Sequence, residues 1–196
     1  MIGTKAARDV LARCEYLLGE LKAKPTGIGW EAKMSGTIAL LRSVGHVLSK
    51  VYAPASSAAK AEIDKWWAEI KLSKPKPEIF WGFIDTERNL ILKEGKLRAG
   101  QSAFVELVGV CANAAAGGFT DAERNAASPG RIVVGAPRNK AAEQTAPPEP
   151  AVHSPKARYE YHMNDGPFKG HDPHDLIAKA LQWWRDQLDL IDSRIK

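Results

Sequence analysis

Apolar side chains recur at steps of three and four through the first half of the chain, and that spacing predicts helices. Val10, Leu11, Cys14, Leu17, Leu18 and Leu21 form one continuous stripe on a helix from about Thr4 to Ala23. Pro25, Gly27 and Gly29 break it. A second helix, from about Glu31 to Tyr52, turns Leu40, Leu41, Val44, Val47, Leu48 and Val51 inward, and Pro54 ends it. Ser56 or Ser57 then offers an N-cap for a third helix whose inner face is Ile63, one of Trp66 and Trp67, and Ile70. After a basic loop, Lys71–Pro77, a fourth helix runs from near Pro77 to about Lys93 with Phe80, Phe83, Ile84 and Ile91 as its apolar positions. The polar run Asp85-Thr86-Glu87-Arg88-Asn89 interrupts that stripe and is the most informative local anomaly in the chain.

Beyond Gly95 the pattern changes. Ala103–Val110 is rich in β-branched residues and reads as a strand, as do Arg131–Val134 and Arg158–Met163. In the last of these Tyr159, Tyr161 and Met163 alternate with Glu160 and His162. Residues 137–155 are rich in Pro, Ala and Glu and lack large apolar groups, so a mobile loop is expected there. The final helix has Asp172 as N-cap, Pro173 at N1 and Asp175 at N3, followed by Ile177, Leu181, Trp184, Leu188, Ile191 and Ile195 in steps of four and three. Its length demands long partners, which the N-terminal helices supply. The expected fold is therefore mainly α: a single bundle of four to five helices over residues 1–196, with a polar, β-rich insertion at 99–170 before the C-terminal helix.

Composition narrows the classes. With 44% apolar residues among 196, the chain can bury a core, so wholesale disorder is excluded. The formal charge is +5, and residues 1–98 carry the surplus, with 17 Lys and Arg against 11 Asp and Glu. That permits attraction to nucleic acid, although it is also an ordinary solubility charge. Cys14 and Cys111 form no metal or redox spacing and read as free thiols of a reducing compartment. No signal-like apolar run follows the charged start, and no apolar stretch is long enough to span a bilayer; the expected location is the cytoplasm, without membrane contact.

His162, His171 and His174, with Asp172 and Asp175, invite a metal reading, but their spacing fits no common zinc pattern and helix capping already accounts for the carboxylates. No glycine-rich phosphate loop or nucleophile elbow is present, so neither a metal nor a small-molecule cofactor is expected. His46 reads as a paired or solvent-edge residue beside the stripe of the second helix. Trp66-Trp67 and Trp183-Trp184 are adjacent pairs about 100° apart around their helices, so only one of each points fully inward. The other is expected in a dimer interface, against the insertion, or stacked on a base. In the polar run, Asn89 and Lys93 share a face, Asp85 reaches Arg88 or Asn89, and Arg88 presents a rigid fork for phosphate or carboxylate. The competing reading is a set of ordinary intrahelical pairs.

The stretch from Phe80 to Glu94 resembles the signature helix of the HEPN-like helical proteins of prokaryotic toxin–antitoxin and defence systems. Their motif is an arginine, a polar neighbour and a histidine after four to six intervening positions; Arg88 matches the arginine, Asn89 the neighbour, and Lys93 stands in the histidine position. The resemblance covers most of residues 4–98 and about 157–195. It implies a homodimer whose paired motifs line a cleft, and metal-independent RNA cleavage in active members. Cleavage needs a group that moves a proton near neutral pH, which lysine with a reference pKa of about 10.4 does poorly. The chain therefore reads as a non-catalytic HEPN-like protein that binds nucleic acid, most simply RNA, or a protein partner. Arg88, Lys93, Lys71, Lys74 and Lys76 are the expected nucleic-acid contacts. The alternatives are a structural or dimerisation protein with no nucleic-acid role, and a metal-independent RNase using Arg88, Asn89 and Lys93.

Overall fold

The structure is a computed structural model that describes residues 4–23, 25–106 and 156–195. The second cysteine, the strand expected at 131–134 and the loop expected at 137–155 lie outside the described residues. Two compact units divide the chain, one from Met1–Phe104 with Tyr159–Lys196 and the other Val105–Arg158. Among the described residues the protein is mainly helical, with five α-helices and a small two-stranded antiparallel sheet before the last of them. No helix among the described residues is long and apolar enough to cross a membrane.

Helix α1 (Lys5–Lys22) buries Ala7, Val10, Leu11, Cys14, Leu18 and Leu21, the stripe its spacing implies. Gly27 starts α2 (Ile28–Val47): at φ +58°, which favours glycine, its carbonyl accepts from the Trp30 and Glu31 amides. The buried face of α2 is Trp30, Met34, Thr37, Ile38, Leu41 and Val44. A π-helical turn, Leu48–Tyr52, continues it and buries Leu48 and Tyr52. Val51, expected inside, is 57% exposed because the inward line runs through Leu41, Leu48 and Tyr52. Helix α3 (Ser57–Leu72) is capped by Ser56, whose Oγ accepts from the Ala59 amide at 3.0 Å, a geometry worth about 1 kcal/mol.

A π-helical segment, Ile79–Asp85, leads into α4 (Thr86–Glu94). The wide turns present Phe80, Phe83 and Ile84 to the core with no exposure, and the Thr86 hydroxyl donates to the Trp81 carbonyl at 2.6 Å. Gly95, at φ +63°, closes α4: its amide bonds to the Ile91 carbonyl and the Lys96 amide to that of Leu90, satisfying carbonyls the helix end would orphan. Strand β1 (Ala99–Glu106) begins four residues earlier than its β-branched run, and pairs with β2 (Lys156–Met163). Ala99 and Met163 enter the core, so the edges of the expected insertion are part of the bundle's packing.

Helix α5 (Pro173–Ile195) packs against α1, α2 and α3 and buries Ile177, Leu181, Trp184, Leu188 and Ile191. Asp172 Oδ1 accepts the His174 amide at 2.8 Å. Ion pairs fasten α5 to its neighbours: Arg8 to Asp189 and Asp192, Arg185 to Glu15, and Arg194 to Glu69. Of the tryptophan pairs, Trp66 and Trp184 are buried while Trp67 and Trp183 are half-buried. All four, with Phe80 and Trp81, form one aromatic cluster within the chain at centroid separations of 4.7–6.1 Å. The wide aromatic arcs thus have partners without a second subunit.

Candidate functional site, a cationic face of the second and fourth helices

Four of the polar residues that interrupt the fourth helix's apolar stripe have separate fates. Glu87 is completely buried, and its Oε1 accepts both Nε, at 2.8 Å, and Nη2 of Arg98. Asp85 takes the Nε–H of Arg42 at 2.9 Å on one oxygen and the Asn89 amide at 3.3 Å on the other. Asn89 Oδ1 in turn accepts from Arg88 Nη1 at 2.9 Å. The result is a chain, Arg42–Asp85–Asn89–Arg88, in which the carboxylate holds Arg42 directly and is linked to Arg88 only through the Asn89 amide. Among the described residues Arg88 forms no ion pair.

Arg42 reaches Asp85 from α2, 43 positions away in sequence. Its side chain is 14% exposed and its guanidinium carbon stands 5.5 Å from the ring centres of both Trp67 and Phe80, within cation–π range. One turn along α2 is His46, exposed, with its pKa lowered from the ordinary imidazole value. Desolvation is the largest cause, followed by the charges of Arg42, Arg88 and Lys50, with Asp85 acting in opposition. Arg42, Gly45, His46, Ser49 and Trp67 line a cavity of about 150 Å³. Gly45 makes room for it: a Cβ there would stand 3.3 Å from Trp184 Cη2 and 3.5 Å from Arg42 Nη1.

The other expected contacts lie elsewhere. Lys93 is exposed near the end of α4. Lys71, Lys74 and Lys76 are exposed at the opposite end of the same helical run, where Lys74 Nζ lies 5.0 Å from the Trp81 ring centre. At about 1.5 Å of rise per residue, the loop stands roughly 15–20 Å from Arg88 along the axis. The structure therefore joins Arg88 and Asn89 to Arg42 and His46, and separates them from the loop lysines.

Two of the three histidines of the metal reading have other partners. Trp30 Nε1–H donates to His174 Nε2 at 3.3 Å, which places the imidazole proton on Nδ1, facing Asp172 Oδ1 at 2.8 Å. His171 Nδ1 lies 3.1 Å from the Phe168 carbonyl. Among the described residues no group of three or more His, Cys, Asp or Glu is arranged to hold a metal.

Sequence reasoning passed over Arg42 altogether. A signal was present, since Arg42 and His46 are four apart on one helix face and Arg42 follows the buried Leu41. What the spacing lacked was the carboxylate that fixes it. Comparison of the chain with family models, curated proteins and solved structures finds no match.

Proposed function

We propose that the protein is a HEPN-like helical module that binds a single nucleic-acid strand, RNA in the first instance, through the cationic face of α2 and α4. The observation that carries this reading is that Asp85 is taken by Arg42 and not by Arg88. A purely structural role for Arg88 would pair it with Asp85 or Glu87, and both carboxylates are committed to other arginines. Arg88 is held in place by a neutral amide with no carboxylate partner among the described residues, an arrangement suited to a phosphate contact. Lys50 and Lys93 extend the positive field, and the loop lysines offer a second contact along a strand.

Fluorescence anisotropy with a labelled single-stranded RNA over a salt series tests it. Arg88→Ala should weaken binding across sequences and lower the salt slope by about one, as loss of a single phosphate contact does. Unchanged affinity and slope would overturn the reading. Self-association as a two-fold dimer belongs to the same proposal, since it would set two Arg88 motifs across one cleft; sedimentation at 21.4 kDa at every concentration would remove it.

A second reading, metal-independent RNA cleavage, is favoured by one observation: α2 supplies a histidine in the field of Arg88, whereas the motif helix has Lys93 in that position. A neutral imidazole can take a proton from a ribose 2′-hydroxyl while the guanidinium groups offset charge on the phosphorane. Cleavage in chelator, lost in both His46→Ala and Arg88→Ala, would establish it; intact RNA after prolonged incubation would dismiss it.

A further inference from the structure

The cavity between Arg42 and His46 has the makings of a ligand site that is separate from the Arg88 contact. Arg42 is held by two kinds of contact: Asp85 takes its Nε–H, and its guanidinium carbon stands over the rings of Trp67 and Phe80, 5.5 Å from each centre. Among the described residues its two Nη groups have no hydrogen-bond partner, and neither is sealed in the core as the unpartnered Trp184 indole nitrogen is. A guanidinium already ordered, with its fork unoccupied, loses little freedom when an anion arrives. The walls add an exposed imidazole, the Ser49 hydroxyl and the bare backbone of Gly45.

We propose that this cavity seats one phosphoryl group, bound bidentately by the Nη groups of Arg42 with His46 as a further donor. Three features select an oxyanion over other ligands. The fork offers paired parallel N–H groups that match two oxygens of one phosphorus centre. Local charge is positive, since Arg42, Arg88 and Lys50 act on His46 against Asp85 alone. The volume of about 150 Å³ suits a single small tetrahedral anion and is well below the usual range for drug-sized ligands. The proposal deepens the nucleic-acid reading and rests on it only for the source of the phosphoryl group, a strand or free phosphate.

The test is an NMR titration of the full chain with inorganic phosphate at constant ionic strength, chloride serving as control, followed on the His46 ring and the Trp67 indole. Phosphate should saturate the shifts of both. It should also raise the His46 midpoint, because a bound anion favours the protonated ring. Arg42→Lys keeps a cation for Asp85 but removes the fork, and should weaken phosphate about tenfold or more. His46→Gln, which leaves the Arg42–Asp85 pair untouched, should weaken it less and abolish the dependence of binding on pH through the His46 titration. Phosphate shifts no larger than those of chloride in the unaltered chain would overturn the proposal, as would unchanged affinity in both variants.

The same variants against single-stranded RNA separate the two readings. Phosphate binding without RNA binding keeps the seat, assigns it to free phosphate and refutes the nucleic-acid module. RNA binding that depends on Arg88 but not on Arg42 or His46, with no phosphate response, keeps the module and refutes the seat.

Discussion

Replacing Arg98 with Met should cost this protein a large part of its stability. The reason is the setting of Glu87, which has no exposure and, among the described residues, holds Arg98 through Oε1 alone while its Oε2 has no partner. Arg98 is itself only 17% exposed, and its other contact, Asp165 at 3.3 Å, is 67% exposed and contributes little. Methionine fills much of the same space but leaves the carboxylate buried without a counter-charge, a change that costs about 3–5 kcal/mol. Against a total of about 5–15 kcal/mol that is roughly a fifth or more of the whole. The melting temperature should fall by roughly 6–20 °C for a chain of this size. Urea denaturation followed by far-UV circular dichroism measures the loss directly. The double variant Glu87→Leu with Arg98→Met should recover most of it, because removing both charges also removes the desolvation cost. A single-variant loss under about 1 kcal/mol would refute the argument and place Glu87 in contact with water. Gly166 constrains the same pair, for a Cβ at that position would collide with Arg98 Nη1, and the φ of +78° favours glycine as well.

Two further outcomes follow from burial and charge. Burial pushes the Cys14 thiol up to about 12, so in a Cys111→Ser background the folded protein should resist thiol reagents at pH 8, where the thiolate is roughly one part in ten thousand; rapid labelling would contradict the buried placement. Asp192 is subject to burial that raises its pKa, but the hydrogen bonds from Arg8 and Thr4 outweigh it and hold the carboxyl below the ordinary range. That stability is present above the unfolded value near ~3.9 and is lost as pH falls through the folded one, so Asp192→Asn should cost about 1–3 kcal/mol at pH 7, with the gap narrowing from about pH 5 downward; a pH-independent difference would be the contrary result.

The helices were legible because their information is local. Val10, Cys14, Leu18 and Leu21 repeat at the helical period, Ser56 and Asp172 are caps by chemistry, and Gly95 can adopt the left-handed turn that stops α4. The departures arose where tertiary packing set the register. A π-helical turn after Val47 carried Tyr52 into the core and left Val51 outside, and Ala99 joined a strand despite lacking strand propensity because the core had a place for a small residue. The tryptophan pairs divided as their 100° offset required. Yet the outer members found Phe80, and Trp67 also Trp81, and nothing in a helical period states which helices will be neighbours.

The candidate site was half legible for a related reason. An i,i+4 relation can show that Asp85 and Asn89 touch, and they do. It cannot show which cation a carboxylate will choose when one competitor is three residues away and the other is 43. Asp85 chose Arg42, because a guanidinium packed over the Trp67 and Phe80 rings with its side chain only 14% exposed has lost most of its water and needs a counter-charge. Glu87 was removed from the contest in the same way by Arg98, at a depth where an unpaired carboxylate could not persist. The charge left over at the surface is therefore decided by the demands of the interior. Arg88 has no carboxylate partner among the described residues because Arg42 and Arg98 took Asp85 and Glu87, so a variant that releases Asp85, such as Arg42→Met, should draw Arg88 onto it and neutralise the cationic face without altering Arg88 itself.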